Sequence, residues 1–294
     1  MSRPVGSKNQ KTLIRMGLQH LIPNANPVMV PPVRKDTRSD PEILDTIMAH
    51  FDVYHKMCVA ATEDAITALI VSGAAGIGKS YTAEWALDYA KENKGIRFKI
   101  IRGAVNALDL YEQAFRYCNP REVIVLDDAD RIFDDEDGLN LLKCLLDTSV
   151  ERKVNWMTDH PRFKGTDALP KEFTYKGAMV FLTNKNFQEY VDANYGRYVE
   201  HMQALMSRSI YLDLKMHSRR EVMIWTHHLV LHNQILQRIG CTPEQETEAI
   251  GWLEKNQSDL RELSIRTAIK LGKFMKMNDQ RWETVAEMTL LRGA

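Results

Sequence analysis

The stretch Gly73-Ala74-Ala75-Gly76-Ile77-Gly78-Lys79-Ser80 constrains this chain more than any other. It lies between an apolar run ending at Ser72 and an apolar-periodic segment holding Ala83, Trp85, Ala86, Leu87 and Ala90. A buried strand, a glycine turn and a helix in that order make a cradle for phosphate. The loop N–H groups and the partial positive charge of the helix N-terminus converge on one point. The spacing G-x-x-x-x-G-K-[ST] lets Lys79 reach β- and γ-phosphates and offers the Ser80 hydroxyl to Mg²⁺. Gly73 to Tyr81 is thus the expected phosphate-binding segment.

A second run supplies the acids such a cradle needs. In Glu122-Val-Ile-Val-Leu-Asp127-Asp128 the apolar residues run directly into carboxylates. This is the pattern of a central parallel strand whose C-terminal end reaches a ligand crevice. Asp127 is expected to hold the Mg²⁺ hydration shell, and Asp128 to polarise the attacking water or accept its proton. A third run, Gly177 to Asn184, is another buried strand; Asn184 at its end is placed to orient that water or touch the γ-phosphate. Residues 201–214 read as a helix breaking into a strand, with Arg208 at the junction. An arginine there suits a neighbour's phosphate better than a core.

With Ile96 to Ile101 as a further strand and helices between, the expected fold is α/β, a doubly wound parallel sheet covered on both faces. The helix from Asp40 precedes the first strand and is expected beside the nucleotide base. Residues 155–173 read as a turn-rich stretch. Strand signals stop at His217. Arg219 to Ile239 reads as one long helix, a second starts near Pro243, a third at Ser258, and a last spans Trp282 to Leu291. His227, His228 and His232 share a helical spacing, but no carboxylate clusters with them, which favours partly buried histidines over a metal site. Three domains follow: an N-terminal extension at 1–39, an α/β domain at 40–215, and a small all-helical domain at 216–294.

The extension is basic, polar and turn-rich, and is expected to be partly disordered. Residues 1–40 carry Arg3, Lys8, Lys11, Arg15, Arg34, Lys35 and Arg38 against Asp36 and Asp40. Thr12 to Leu21 has room for one short helix; Pro23, Pro27, Pro31 and Pro32 then exclude regular structure. Contact with DNA, a protein-docking arm and a solubilising tail are all open to it. Elsewhere charge is balanced, with 39 Lys and Arg against 39 Asp and Glu. That removes any global electrostatic case for nucleic acid. Cys58, Cys118, Cys144 and Cys241 lie far apart, in neither a zinc nor a disulfide framework, as expected of thiols in a reducing compartment. No apolar segment has the length of a bilayer span and no signal-peptide core opens the chain, so the expectation is cytoplasmic, with no membrane partner.

Phosphate loop, acidic strand end, strand ending in Asn, outward arginine and helical C-terminal domain, in that order, resemble the AAA+ ATPase family over residues 40–294. The resemblance makes Gly73 to Ser80 Walker A, Val123 to Asp128 Walker B, Asn184 sensor 1 and Arg208 the arginine finger. Arg266, in Leu263-Ser-Ile-Arg-Thr, is similar to sensor 2 on the lid; Arg261, in Ser-Asp-Leu-Arg, competes for that role. Most members carry Asp-Glu where this chain has Asp127-Asp128, which bears on hydrolysis rate. The resemblance implies ATP and Mg²⁺ as cofactors and a homo-oligomeric ring or spiral, hexameric or larger. ATP would sit between one subunit's loop and the next subunit's arginine. It further implies an ATPase that assembles on or remodels nucleic acid or nucleoprotein. The alternatives are a chaperone-like ATPase acting on a partner protein, and an ATP-gated scaffold with little turnover.

Overall fold

In the computed structural model the described residues are 36–192, 199–277 and 281–293. The expected helix at 12–21 and the proposed DNA-contacting tail lie almost wholly outside them. The chain divides into Met1–Arg38 and Ser39–Ala294, and the second unit holds every described helix and strand.

Helix α1 (Asp40–Ala61) begins at a reciprocal cap between Ser39 and Glu42, with Pro41 in its first turn. Ile43, Ile47, Phe51, Tyr54 and Cys58 recur every three or four residues and form its buried face. Then follow β1 (Ala68–Ser72), α2 (Lys79–Lys94), β2 (Phe98–Arg102), α3 (Ala107–Arg116), β3 (Val123–Asp127) and α4 (Glu136–Leu145). Next come β4 (Arg152–Asn155), β5 (Glu172–Tyr175), β6 (Ala178–Thr183), α5 (Phe187–Asp192), α6 (Val199–Arg208) and β7 (Ile210–Asp213). Five strands form one sheet in the order β2-β3-β6-β1-β7, every pair parallel. β1, β3 and β6 are buried along their whole length, as central strands with both faces covered must be.

Side chains alternate across that sheet. Ile70, Ile124, Leu126 and Phe181 join one apolar cluster with α3 and α4. Leu69, Val71, Val125 and Val180 join another with α1 and α2. The fold is the expected doubly wound α/β sheet. The register decides where chemistry can occur: Ser72 pairs with Thr183, and Asp127 with Leu182. The C-terminal ends of β1, β3 and β6 are therefore level.

The turn-rich stretch differs from expectation. Its ends pair as the antiparallel strands β4 and β5. Arg152 anchors them: it is buried, donates to the carbonyls of Leu145 and Gly177 at 2.8 Å each, and lies over the Tyr175 ring. Four-residue strands are too short for alternation to announce them.

Beyond β7 the described elements are helical: α7 (Arg219–His232), α8 (Ile235–Arg238), α9 (Pro243–Asn256), α10 (Ile265–Met275) and α11 (Trp282–Leu290). A third apolar cluster, including Val230, Leu253, Leu271 and Leu290, lies wholly among them. Two helix readings are corrected. The long helix from Arg219 breaks at Asn233, and Gln234 takes a left-handed backbone with φ of 50°. The third helix starts at Ile265 rather than Ser258, because Arg219 draws the carbonyls of Gln257 and Leu260 to its guanidinium at 2.9 Å each.

A side chain at Gly177 would bring its Cβ to 2.7 Å from the Tyr117 carbonyl oxygen and 2.9 Å from that of Glu122. Gly177→Ala is expected to lower stability by about 1–3 kcal/mol, measured by urea denaturation, because backbone rather than a flexible side chain must move.

Candidate nucleotide-binding site

At the level strand ends lies a cavity of about 420 Å³. Ala75 to Thr82 form one wall; Asp127, Asp128 and Asn184 come from the sheet. The loop has its expected shape: Gly76 and Gly78 take φ of 72° and 103°, which side chains rarely adopt.

Lys79 is buried at the first position of α2. Its Nζ donates to the carbonyls of Gly73 at 2.8 Å and Ala74 at 2.9 Å, and to Asn184 Oδ1 at 2.8 Å. Burial lowers its pKa; Asp128 and Asp127 oppose that shift, and Arg266 adds to it. Asn184 then donates through Nδ2 to Asp128 Oδ1 at 3.0 Å. Loop cation, strand-end amide and exposed acid thus form one chain of hydrogen bonds. Asp128 has a left-handed backbone, with φ of 53°, which an aspartate tolerates better than most side chains. The Ser80 hydroxyl donates to Asp127 Oδ1 at 2.9 Å, and Arg102 Nε donates to Oδ2 at 3.1 Å. Ser80 and Asp127 therefore present hard oxygen donors side by side, a set suited to a small divalent cation.

The helical segment closes the far wall. Ile265 N–H donates to the Gly76 carbonyl at 3.3 Å, and a Cβ on Gly76 would lie 2.9 Å from that of Ser264. Trp225 Nε1 donates to the buried Ile77 carbonyl at 2.9 Å, and its ring stacks on Phe51 at 4.4 Å. From α1, Tyr54 hydroxyl donates to the Lys79 carbonyl at 2.8 Å, and burial holds that phenol well above its ordinary pKa.

Of the residues expected from the sequence, Ala75, Gly76, Ile77, Gly78, Lys79, Ser80, Tyr81, Asp127, Asp128, Asn184 and Arg266 line the cavity. Gly73 and Ala74 contribute the carbonyls that hold Lys79. Arg208 does not line it: at the end of α6 it donates to the Ala204 carbonyl at 2.9 Å and lies 3.8 Å from Asp147. Arg261 is also absent from the lining and donates to the Leu291 carbonyl at 2.8 Å. Among the described residues no cluster of three or more His, Cys, Asp or Glu side chains could hold a metal ion. His228 and His232 instead stack at 5.0 Å.

Sequence reasoning placed the helix from Asp40 beside the base and Arg266 on the lid, but missed which other residues make the apolar and basic half of the cavity. Phe51, Trp225, Asn233, Ile235 and Arg238 line it. Trp225 lies within the long helix read from Arg219, and no spacing signals which face of a helix looks at the loop. Short α8 is held by Glu246, a buried carboxylate accepting from Leu236 N–H at 2.9 Å and Gln237 Nε2 at 2.7 Å. The guanidiniums of Arg238 and Arg266 have no hydrogen-bond or ion-pair partner among the described residues. Two guanidiniums and an ammonium thus face a space whose lining acids are Asp127 and Asp128.

No family model matches the chain. It is 36% identical over 240 residues to an uncharacterized 36.7 kDa protein encoded in the nrdC–mobD intergenic region of Enterobacteria phage T4. That match covers 82% of this chain and 73% of the phage protein. Domain III of the Thermotoga maritima replication initiation protein DnaA is similar with a TM-score of 0.49 and 10% identity, covering 82% of this chain and 91% of that one. A chain from the structure of Drosophila ORC bound to DNA is similar with a TM-score of 0.44 and 15% identity, covering 95% and 69%.

Trp225→Phe keeps an aromatic ring but trims the indole and strips the buried Ile77 carbonyl of its donor. It is expected to cost about 1–3 kcal/mol in urea denaturation. His228, stacked at 5.5 Å on Trp225, has its pKa lowered from 6.5 by burial and then by His232 and His227. Between that lowered folded-state value and 6.5 the unfolded chain binds more protons, so stability should rise with pH across the interval. The urea midpoint should lose that slope in His228→Phe, and an unchanged slope would assign it to another group.

Proposed function

We propose that this chain, which belongs to the same family as the phage T4 36.7 kDa protein, is a Mg²⁺-dependent ATPase of the AAA+ type. One observation carries the reading. Lys79 is held by the Gly73 and Ala74 carbonyls and by Asn184, beside the Ser80–Asp127 pair, in a cavity that two unpaired arginines also face. A polyanion is the ligand that balances this charge. Bound triphosphate would take Lys79 and the loop N–H groups at its β- and γ-phosphates. Ser80 and Asp127 would hold Mg²⁺, which supplies charge neutralisation at the phosphates when bound. Phe51, Trp225, Ile235 and Ile239 offer an apolar, partly aromatic wall suited to the base.

Asp128 is the acid in position to take a proton from water, and Asn184 orients it through the 3.0 Å bond. Arg266 from α10 would meet the phosphates of its own subunit. Arg208, outside its own subunit's cavity, suits the finger role toward a neighbour in a ring or spiral. Hydrolysis would then depend on assembly, since the transition-state charge is neutralised only when the next copy docks. The basic extension supports nucleic acid or nucleoprotein as the object of that assembly.

Titration of a fluorescent ATP analogue should show Mg²⁺-dependent binding that Lys79→Ala abolishes. Absence of binding in the wild-type chain would remove the reading altogether. Asp128→Asn should bind normally and hydrolyse slowly. Arg208→Ala should lose about 10³-fold or more in assembled-state turnover with binding intact. DNA stimulation of turnover, lost on deleting residues 1–38, would separate nucleic-acid work from a protein client.

A further inference from the structure

The outer face of α2 carries a pattern that the core does not require and that runs beyond the cavity. Tyr81, Trp85 and Tyr89 follow at four-residue spacing, which aligns them on one side of a helix. They remain 59%, 56% and 57% exposed. The core is served by the opposite face, where Ala83, Ala86, Leu87 and Ala90 are buried. Glu84, Asp88 and Glu92 run beside the aromatic residues at the same spacing, and the six together line a groove of about 290 Å³. Glu84 pairs with Arg102. The carboxylates of Asp88 and Glu92 have no hydrogen-bond or ion-pair partner among the described residues.

Trp85 also lies 4.6 Å from the His55 ring, yet three large aromatic side chains more than half exposed on one helix face are a standing cost, and contiguous exposed apolar surface of this kind marks an interaction site. The chemistry beside them selects the occupant. Aromatic faces stack on nucleobases, but a row of carboxylates repels the phosphates that accompany bases. A guanidinium or ammonium satisfies both halves at once: it sits over a Trp or Tyr ring and pairs with the carboxylate one turn away. We propose that the Tyr81–Trp85–Tyr89 face of α2, with Asp88 and Glu92, docks an Arg- or Lys-bearing segment of a partner protein. Tyr81 lines this groove and the nucleotide cavity alike, so the docked segment ends beside the phosphate loop. The docking face stands whether or not the chain turns over ATP.

The probe is a fluorescein-labelled amphipathic peptide with arginine at every fourth position, titrated into the full chain and read by anisotropy. Its glutamate counterpart and a labelled single-stranded oligonucleotide serve as comparisons. The arginine peptide should bind and the glutamate peptide should not. Its affinity should fall at least about tenfold in Trp85→Ser, and again in the double variant Asp88→Asn, Glu92→Gln. The double variant removes charge from exposed positions, so its urea midpoint and its binding of a labelled ATP analogue should match those of the wild-type chain. Equal peptide binding by wild type and both variants overturns the assignment, as does no binding at all. Oligonucleotide binding that Trp85→Ser abolishes would overturn it in favour of nucleic acid. Self-association in sedimentation that Tyr89→Ser abolishes, without peptide binding, would overturn it in favour of a second copy.

Discussion

The site depends on three parallel strands ending level. Ser72 pairs with Thr183, and Asp127 with Leu182, so the chain leaves β1, β3 and β6 at one edge of the sheet. Side-chain period is two, and a slip of one residue in β3 would carry Asp127 to the opposite face while sending apolar neighbours into the wrong layer. The buried clusters on both faces of the sheet therefore hold the polar site in register. Their apolar contacts set where Lys79, Asp127 and Asn184 meet.

The phosphate loop is fastened from three directions. Trp225 bonds the Ile77 carbonyl across 148 residues of sequence, Tyr54 bonds the Lys79 carbonyl, and the start of α10 bonds Gly76. The buried Ile77 carbonyl, which lies before the first turn of α2, is satisfied by Trp225 of the helical wall. A ligand touching both loop and helical wall then has differential contact with any arrangement in which the wall moves, which is the physical requirement for coupling ligand state to shape. Tyr81 lines both the cavity and the groove on the outer face of α2, so the helix that follows the glycine loop also carries the exposed aromatic row.

The polar half of the cavity was legible because each member sits at a boundary that local pattern marks. Lys79 and Ser80 follow the glycines, Asp127 and Asp128 end an apolar run, and Asn184 ends another. The remaining half was not. Phe51, Trp225 and Arg238 belong to helices whose apolar stripes say only that one side is buried, while the packing angle decides which neighbour it meets. The break at Gln234 carries no glycine or proline to announce it. The late start of α10 has a tertiary cause, since Arg219 takes the Gln257 and Leu260 carbonyls.

By itself, then, the sequence determined the parallel α/β layering, the glycine-rich turn between β1 and α2 and the acids placed against it. These follow from periodicity and from residue chemistry at strand ends, which are local quantities. Tertiary structure alone decided that Arg266 rather than Arg261 faces the cavity, and that Trp225 and Arg238 complete the wall. Each of those outcomes depends on how whole helices settle on the sheet, and that is governed by the sum of many weak contacts between residues far apart in the chain.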